Sequence, residues 1–158
     1  MIFAAIDPGA VSAAIAVFCD GSPIFVDDLR TLNNMVDAVA FARALQDMKV
    51  EQAVIENVHS MPGQGVASTF KFGMGTGIIH GVCGALRLPM ALVAPTSWKS
   101  YFHLKADKEL ARELAIRRWP VLHDRLERRK DVNRAEALLI GAYYWQRVYN
   151  GPEAEIFA

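Results

Sequence analysis

The chain has little cysteine. Cys19 and Cys83 are the only two in 158 residues, and they lack metal-type spacing, which argues against a disulfide framework or a zinc module. Both read as buried free thiols of a reducing compartment. A membrane span is also lacking. The longest uncharged stretch, residues 72–86, is 15 residues with five glycines and His80, short of the roughly 20 apolar residues a span requires. No basic segment precedes the N-terminal apolar run, which meets Asp7 at once, so no signal peptide is expected. Internal repeats and low-complexity segments are missing too. With 53% hydrophobic and 22% charged residues, a disordered chain is excluded. A chain of this length can bury roughly 68–70% of its unfolded surface without staples. The expectation is one cytoplasmic domain over residues 1–150 with a short tail, 151–158.

Net charge is lacking as well, with 17 basic and 17 acidic residues, but the balance is uneven. Residues 1–98 carry five Lys/Arg against eight Asp/Glu, whereas residues 99–148 carry twelve against seven. An acidic half is followed by a basic one. That pattern suits either solvated helices or a phosphate-facing surface beside clustered carboxylates.

Residues 2–6 form a short apolar run ending at Asp7-Pro8-Gly9, residues 11–18 a second, and Asp20-Gly21-Ser22-Pro23 a turn. Residues 24–26 resume the apolar character, so an antiparallel meander is expected. From Asn34 the period becomes helical, with Met35, Val36, Val39, Ala42, Leu45 and Met48 on one face. Residues 52–55 then read as a buried strand ending at Glu56, which favours a parallel crossover. Residues 66–86 read as a long helix whose Gly73, Gly77 and Gly81 line one stripe, suited to packing on the sheet or to a subunit contact. Residues 90–93 make a fifth strand stopped by Pro95. Residues 107–119 and about 134–149 complete a mixed α/β domain as helices, the last with Leu138, Leu139, Ala142, Trp145 and Val148 as its apolar face.

Three acids stand out. Asp7 and Glu56 each follow an apolar strand, and neighbouring strands would bring both carboxylates out at one sheet edge. Paired oxygens on rigid elements are what a hard divalent cation requires. Asp-Pro-Gly is equally a good turn sequence, and Glu56 an ordinary strand end. Glu136 lies near the start of the last helix, where Asn133-Arg134-Ala135-Glu136 also has the form of a capping box. Asp131, just upstream, is a further acid within reach.

These residues carry a resemblance across residues 2–148. Ile6-Asp7-Pro8-Gly9, Val54-Ile55-Glu56, Phe70-Lys71-Phe72-Gly73 with Gly77, Pro95 with Trp98-Lys99 and Lys108, and Arg134-Ala135-Glu136-Ala137-Leu138 occur in an order that resembles the RuvC-type Holliday-junction resolvases. The likeness is to the short bacteriophage and prophage versions. It implies a ribonuclease-H-like fold, a five-stranded mixed sheet flanked by helices. It also implies a homodimer that binds four-way DNA junctions and nicks two strands symmetrically.

By position, Asp7, Glu56 and Glu136 would ligate two Mg²⁺ ions, with Mn²⁺ able to substitute. The fourth acid or His of the family is here Asn133, which brings no charge, so Asp131 or Asn133 would complete the set. Lys99 or Lys108 would neutralise charge on the scissile phosphate. His59 falls where relatives place a wedging aromatic, and an imidazole also stacks on bases. Lys71, Lys105, Arg112, Arg117 and Arg118 would position the DNA backbone. Two other readings share these features: a junction-binding protein that has lost cleavage, and a ribonuclease acting on RNA–DNA hybrids. An actin-like nucleotide-binding fold also ends its first strand in Asp-x-Gly, but needs two lobes where this chain supplies one.

Overall fold

The computed structural model describes residues 1–9, 12–105 and 107–151. Most of the expected tail therefore lies outside the described residues. Strands β1 (Ile2–Asp7), β2 (Ala14–Cys19) and β3 (Ser22–Asp28) form the meander, and a small ribbon pairs β4 (Thr31–Leu32) with β5 (Met35–Val36). Helix α1 (Ala38–Asp47) leads to β6 (Gln52–Glu56), α2 (Val66–Ala85) to β7 (Met90–Val93). The remaining helices are α3 (Pro95–Tyr101), α4 (Lys108–Arg118), α5 (His123–Leu126) and α6 (Val132–Tyr143), the last continued by π-helical turns over Tyr144–Tyr149.

The main sheet runs β3-β2-β1-β6-β7, antiparallel on the meander side and parallel from β1 to β6 to β7. Side chains alternate faces along a strand, and two cores follow. Phe3, Ala5, Ala16, Phe18, Val54 and Val93 pack against α4 and α6. Ala4, Ile6, Ile15, Val17, Ala53 and Ile55 pack with Phe41 and Leu45 of α1 and Ile79 and Cys83 of α2. Both faces of β1 are covered, which is why its sequence reads as a continuous apolar run rather than an alternating one.

Several boundaries depart from expectation for identifiable reasons. Helix α1 starts at Ala38, not near Asn34. Asn33 and Asn34 both take positive φ, 53° and 59°, the backbone of a tight hairpin turn, and Asp37 caps the helix by accepting from the Val39 and Ala40 N–H groups. Val39, expected on the buried face, is 61% exposed. Pro95 does not merely stop β7: it occupies the first turn of α3, where its missing N–H costs nothing. In α2 it is Gly75, Ile79 and Cys83 that face inward. Gly73, Gly77 and Gly81 look outward, with no atom within 4 Å of an added Cβ, so the stripe does not pack on the sheet. Cys83 is buried, but Cys19 is partly exposed. No helix among the described residues is long and apolar enough to cross a membrane.

Candidate active site

β1 and β6 run parallel with Ile6 beside Ile55, so the next residue of each strand is an acid. Alternation sends Ile6 and Ile55 to the α1–α2 face and Asp7 and Glu56 to the α6 face. There α6 presents Glu136. The three acids are nearly buried, at 6%, 7% and 4% exposure, and line one cleft of about 580 Å³ together with His59, Met61, Phe72, Lys99 and Lys108. Just after Asp7, a Cβ at Gly9 would lie 2.2 Å from the Ser12 carbonyl oxygen, and Gly75 of α2 packs close to the Gly9 carbonyl. Glycine is needed at Gly9, whereas a Cβ at Gly75 would make only a tight 3.2 Å contact.

The electrostatics of the cleft are unbalanced. Burial, then the charges of Glu136 and Glu56, push the Asp7 carboxyl well above the usual carboxylate range. Burial likewise raises Glu56, the indole of Trp98 opposing it. Asp7 lies within hydrogen-bonding reach of both other acids. Glu136 faces Lys99 and Lys108, whose ammonium groups stand 3.5 Å from its two oxygens. Among the described residues, no three Asp, Glu, His or Cys side chains form a single ready ligand cage. Asp7, Glu56 and Glu136 nevertheless line the same cleft. An all-oxygen set of clustered carboxylates, short of positive charge, is a donor set that suits Mg²⁺ or Mn²⁺.

Three of the expected site residues are engaged with partners elsewhere in the fold. Asp131, offered as a possible fourth ligand, is 1% exposed and is not among the residues lining the cleft. Its carboxylate accepts from the backbone N–H and guanidinium of Arg128 at 2.7–3.2 Å, with Arg134 at 3.8 Å. Burial pushes its pKa up, but these partners outweigh burial and hold it below the usual value. Asn133 donates its amide to the Ser12 carbonyl and hydroxyl at 2.9 and 2.7 Å, and its oxygen accepts from Lys108 at 3.4 Å. It ties Ser12 to α6 and to Lys108, and the capping box with Glu136 does not form: α6 begins at Val132, and Glu136 turns into the cleft. Arg112, expected on DNA, is committed to Glu109 and to the Leu126 and Glu127 carbonyls. Its guanidinium knits α4 to the α5 segment.

The other basic residues remain at the surface. Lys71 is exposed on α2 and Lys105 in the loop before α4, both outside the cleft lining. Arg117 and Arg118 are exposed at the end of α4, with the Arg118 guanidinium 5.4 Å from the Phe102 and Trp119 ring centres. The contact of Trp98 with Glu56 escaped the sequence reading. Its indole N–H donates to Glu56 Oε1 at 2.8 Å. The available signal was chemical: a fully buried Trp needs a partner for its N–H, and acids are the acceptors this core offers. Met61 and Phe72 also line the cleft, Phe72 within the Phe70-Lys71-Phe72-Gly73 segment that carries the resemblance.

No protein-family profile matches the sequence, and no curated protein matches it. Solved structures do share the fold. The chain is similar to Thermus thermophilus RuvC in complex with a Holliday junction substrate, at TM-score 0.63 and 17% identity over 91% of this chain and 94% of that one. It is similar to the fowlpox virus resolvase solved with Holliday junction DNA, at TM-score 0.62 and 17% identity over 92% and 97%. The yeast mitochondrial Holliday junction resolvase aligns at TM-score 0.55 and 14% identity over 99% and 86%. The fold is the ribonuclease-H-like one of these proteins: a five-stranded mixed sheet flanked by helices.

Proposed function

We propose that this protein is a metal-dependent, structure-selective endonuclease that resolves four-way DNA junctions by paired nicking. One observation carries the reading. Two carboxylates emerge side by side from parallel strands of a ribonuclease-H-like sheet, face a third from α6, and share their cleft with two lysines. The proteins of like fold solved with Holliday junctions support the choice of substrate.

Asp7, Glu56 and Glu136 would hold the cations. Bound Mg²⁺, or Mn²⁺ in its place, supplies positive charge to the scissile phosphate and lowers the pKa of an attacking water. Lys99 and Lys108 keep the Glu136 carboxylate in position, and either ammonium can neutralise a phosphate oxygen as its negative charge grows. Asn133 sets the direction from which Lys108 approaches. His59, Met61 and Phe72 give the cleft one apolar and aromatic wall, suited to unstacked bases. Arg117, Arg118 and Lys105 extend a basic surface for backbone contacts.

Two opposed strands must be cut, so two clefts are required. A symmetric dimer supplies them, and the outward face of α2 is the surface proposed for pairing. Val66 is 88% and Phe70 67% exposed there, beside glycines that allow close approach.

The test is cleavage of a labelled four-way junction in Mg²⁺ beside duplex, flap and RNA–DNA hybrid controls. Symmetric paired nicks in the junction are expected. Binding without nicking in Mg²⁺ and in a parallel Mn²⁺ reaction, or cutting confined to the hybrid, would overturn the proposal.

A further inference from the structure

Trp98 is fully buried, within the core cluster that also holds Val54, Val93 and Leu139. It is nevertheless in contact with both charged halves of the cleft. Its indole N–H donates to Glu56 Oε1 at 2.8 Å. Its ring centre stands 5.0 Å from Lys99 Nζ, and that ammonium is 3.5 Å from Glu136 Oε1. One rigid side chain thus touches an acid by its edge and a base by its face.

We propose that Trp98 is a positioning residue of the cleft, its N–H fixing the Glu56 carboxylate for a divalent cation while its ring seats the Lys99 ammonium beside Glu136. The inference rests on the metal-dependent nuclease reading above. Its physical basis is the choice of donor. A glutamate side chain has three rotatable bonds, and repulsion from Glu136 would otherwise decide where its carboxylate points. An indole N–H donates one hydrogen bond, accepts none and carries no charge. It therefore orients the carboxylate without neutralising the charge that attracts the cation, which a lysine or arginine at this place would do. The ring face, by contrast, favours an ammonium. Burial in the core locks the indole, and through it the two groups it touches. Outer partners of metal-binding carboxylates act in this way generally.

The test is Trp98→Phe in the full chain, which keeps an aromatic face for Lys99 and the core but removes the N–H. Mn²⁺ binding is measured by calorimetry without DNA, cleavage under single turnover, and junction affinity in EDTA. Mn²⁺ affinity and cleavage rate should each fall about 10-fold or more. Junction affinity in EDTA should stay within about twofold, because Trp98 has no exposed surface. A folded Trp98→Phe protein with wild-type Mn²⁺ affinity would overturn the assignment, provided the wild type binds Mn²⁺ and cuts. A wild type that does neither defeats the nuclease reading and the inference with it.

A second measurement needs no change at Trp98. The chain has three tryptophans, and Trp119→Phe and Trp145→Phe identify their indole N–H resonances. The remaining one, from Trp98, should shift most when Mg²⁺ is added. A Trp98 resonance unmoved at saturating Mg²⁺ would refute the positioning role.

Discussion

Asp7→Asn should stabilise the metal-free protein while abolishing its chemistry. Asp7 is 6% exposed, and burial plus the neighbouring charges of Glu136 and Glu56 raise its pKa. The folded state therefore binds that proton more tightly than the unfolded chain does. The stability associated with Asp7 is fully present below the unfolded value, near 3.9. It is lost as pH rises through the folded value. At neutral pH the wild type carries this penalty and the Asn variant does not, because an amide is uncharged and its NH₂ can donate to Glu56 or Glu136. Lys108 opposes the shift, but its side chain is 57% exposed and so screened by solvent.

The ordinary cost of an unmatched buried polar group is about 1–3 kcal/mol. For a domain of this size each kcal/mol moves Tm by about 2–4 °C. Calorimetric melting in EDTA at pH 7.5 should therefore place Asp7→Asn above the wild type by several degrees, with the gap closing toward pH 4. Adding Mg²⁺ should reverse the order, since only the wild type gains binding free energy. Junction nicking should vanish while junction binding stays within a few-fold. A variant that melts at or below the wild type in EDTA, or a gap that ignores pH, would refute the electrostatic account of the cleft.

Asp131→Asn should cost about 1–3 kcal/mol yet leave the Mg²⁺ dependence of cleavage unchanged. Because its partners depress the Asp131 pKa, its contribution is present above the unfolded value. It should disappear as pH falls through the folded one, which a melting series from pH 7 downward reads directly. Lys99→Ala and Lys108→Ala should lower the single-turnover rate more than affinity, whereas Arg117→Ala should weaken binding and flatten its salt dependence by about one unit. An unchanged rate in both lysine variants at saturating protein would reduce the basic segment to a positioning surface. Gly77→Leu, on the outward face of α2, should produce monomers in light scattering and convert paired nicking into single nicks. A wild type that is monomeric at micromolar concentration with paired nicking intact would remove the dimer from the proposal.

Asp7 and Glu56 were legible in the sequence because charge cannot stay inside an apolar strand, so the residue that ends such a run marks the sheet edge. The succession of five strands along the chain and the helix expected over residues 107–119, observed as α4, followed from hydrophobic period in the same local way. What the sequence by itself could not decide was which of several equivalent charges the packing would use. Asp131 and Glu136 lie five residues apart in one segment. The start of α6 at Val132 turned the second into the cleft, while Arg128 and Arg134 took up the first. Arg112 looks as basic as Arg117 in the sequence, yet only Arg112 reaches the Leu126 and Glu127 carbonyls. Trp98 and Glu56 are 42 positions apart, and nothing local connects them. Element type follows from local periodicity. Partner choice depends on which distant groups the chain brings within 3 Å, and that is a property of the folded structure alone.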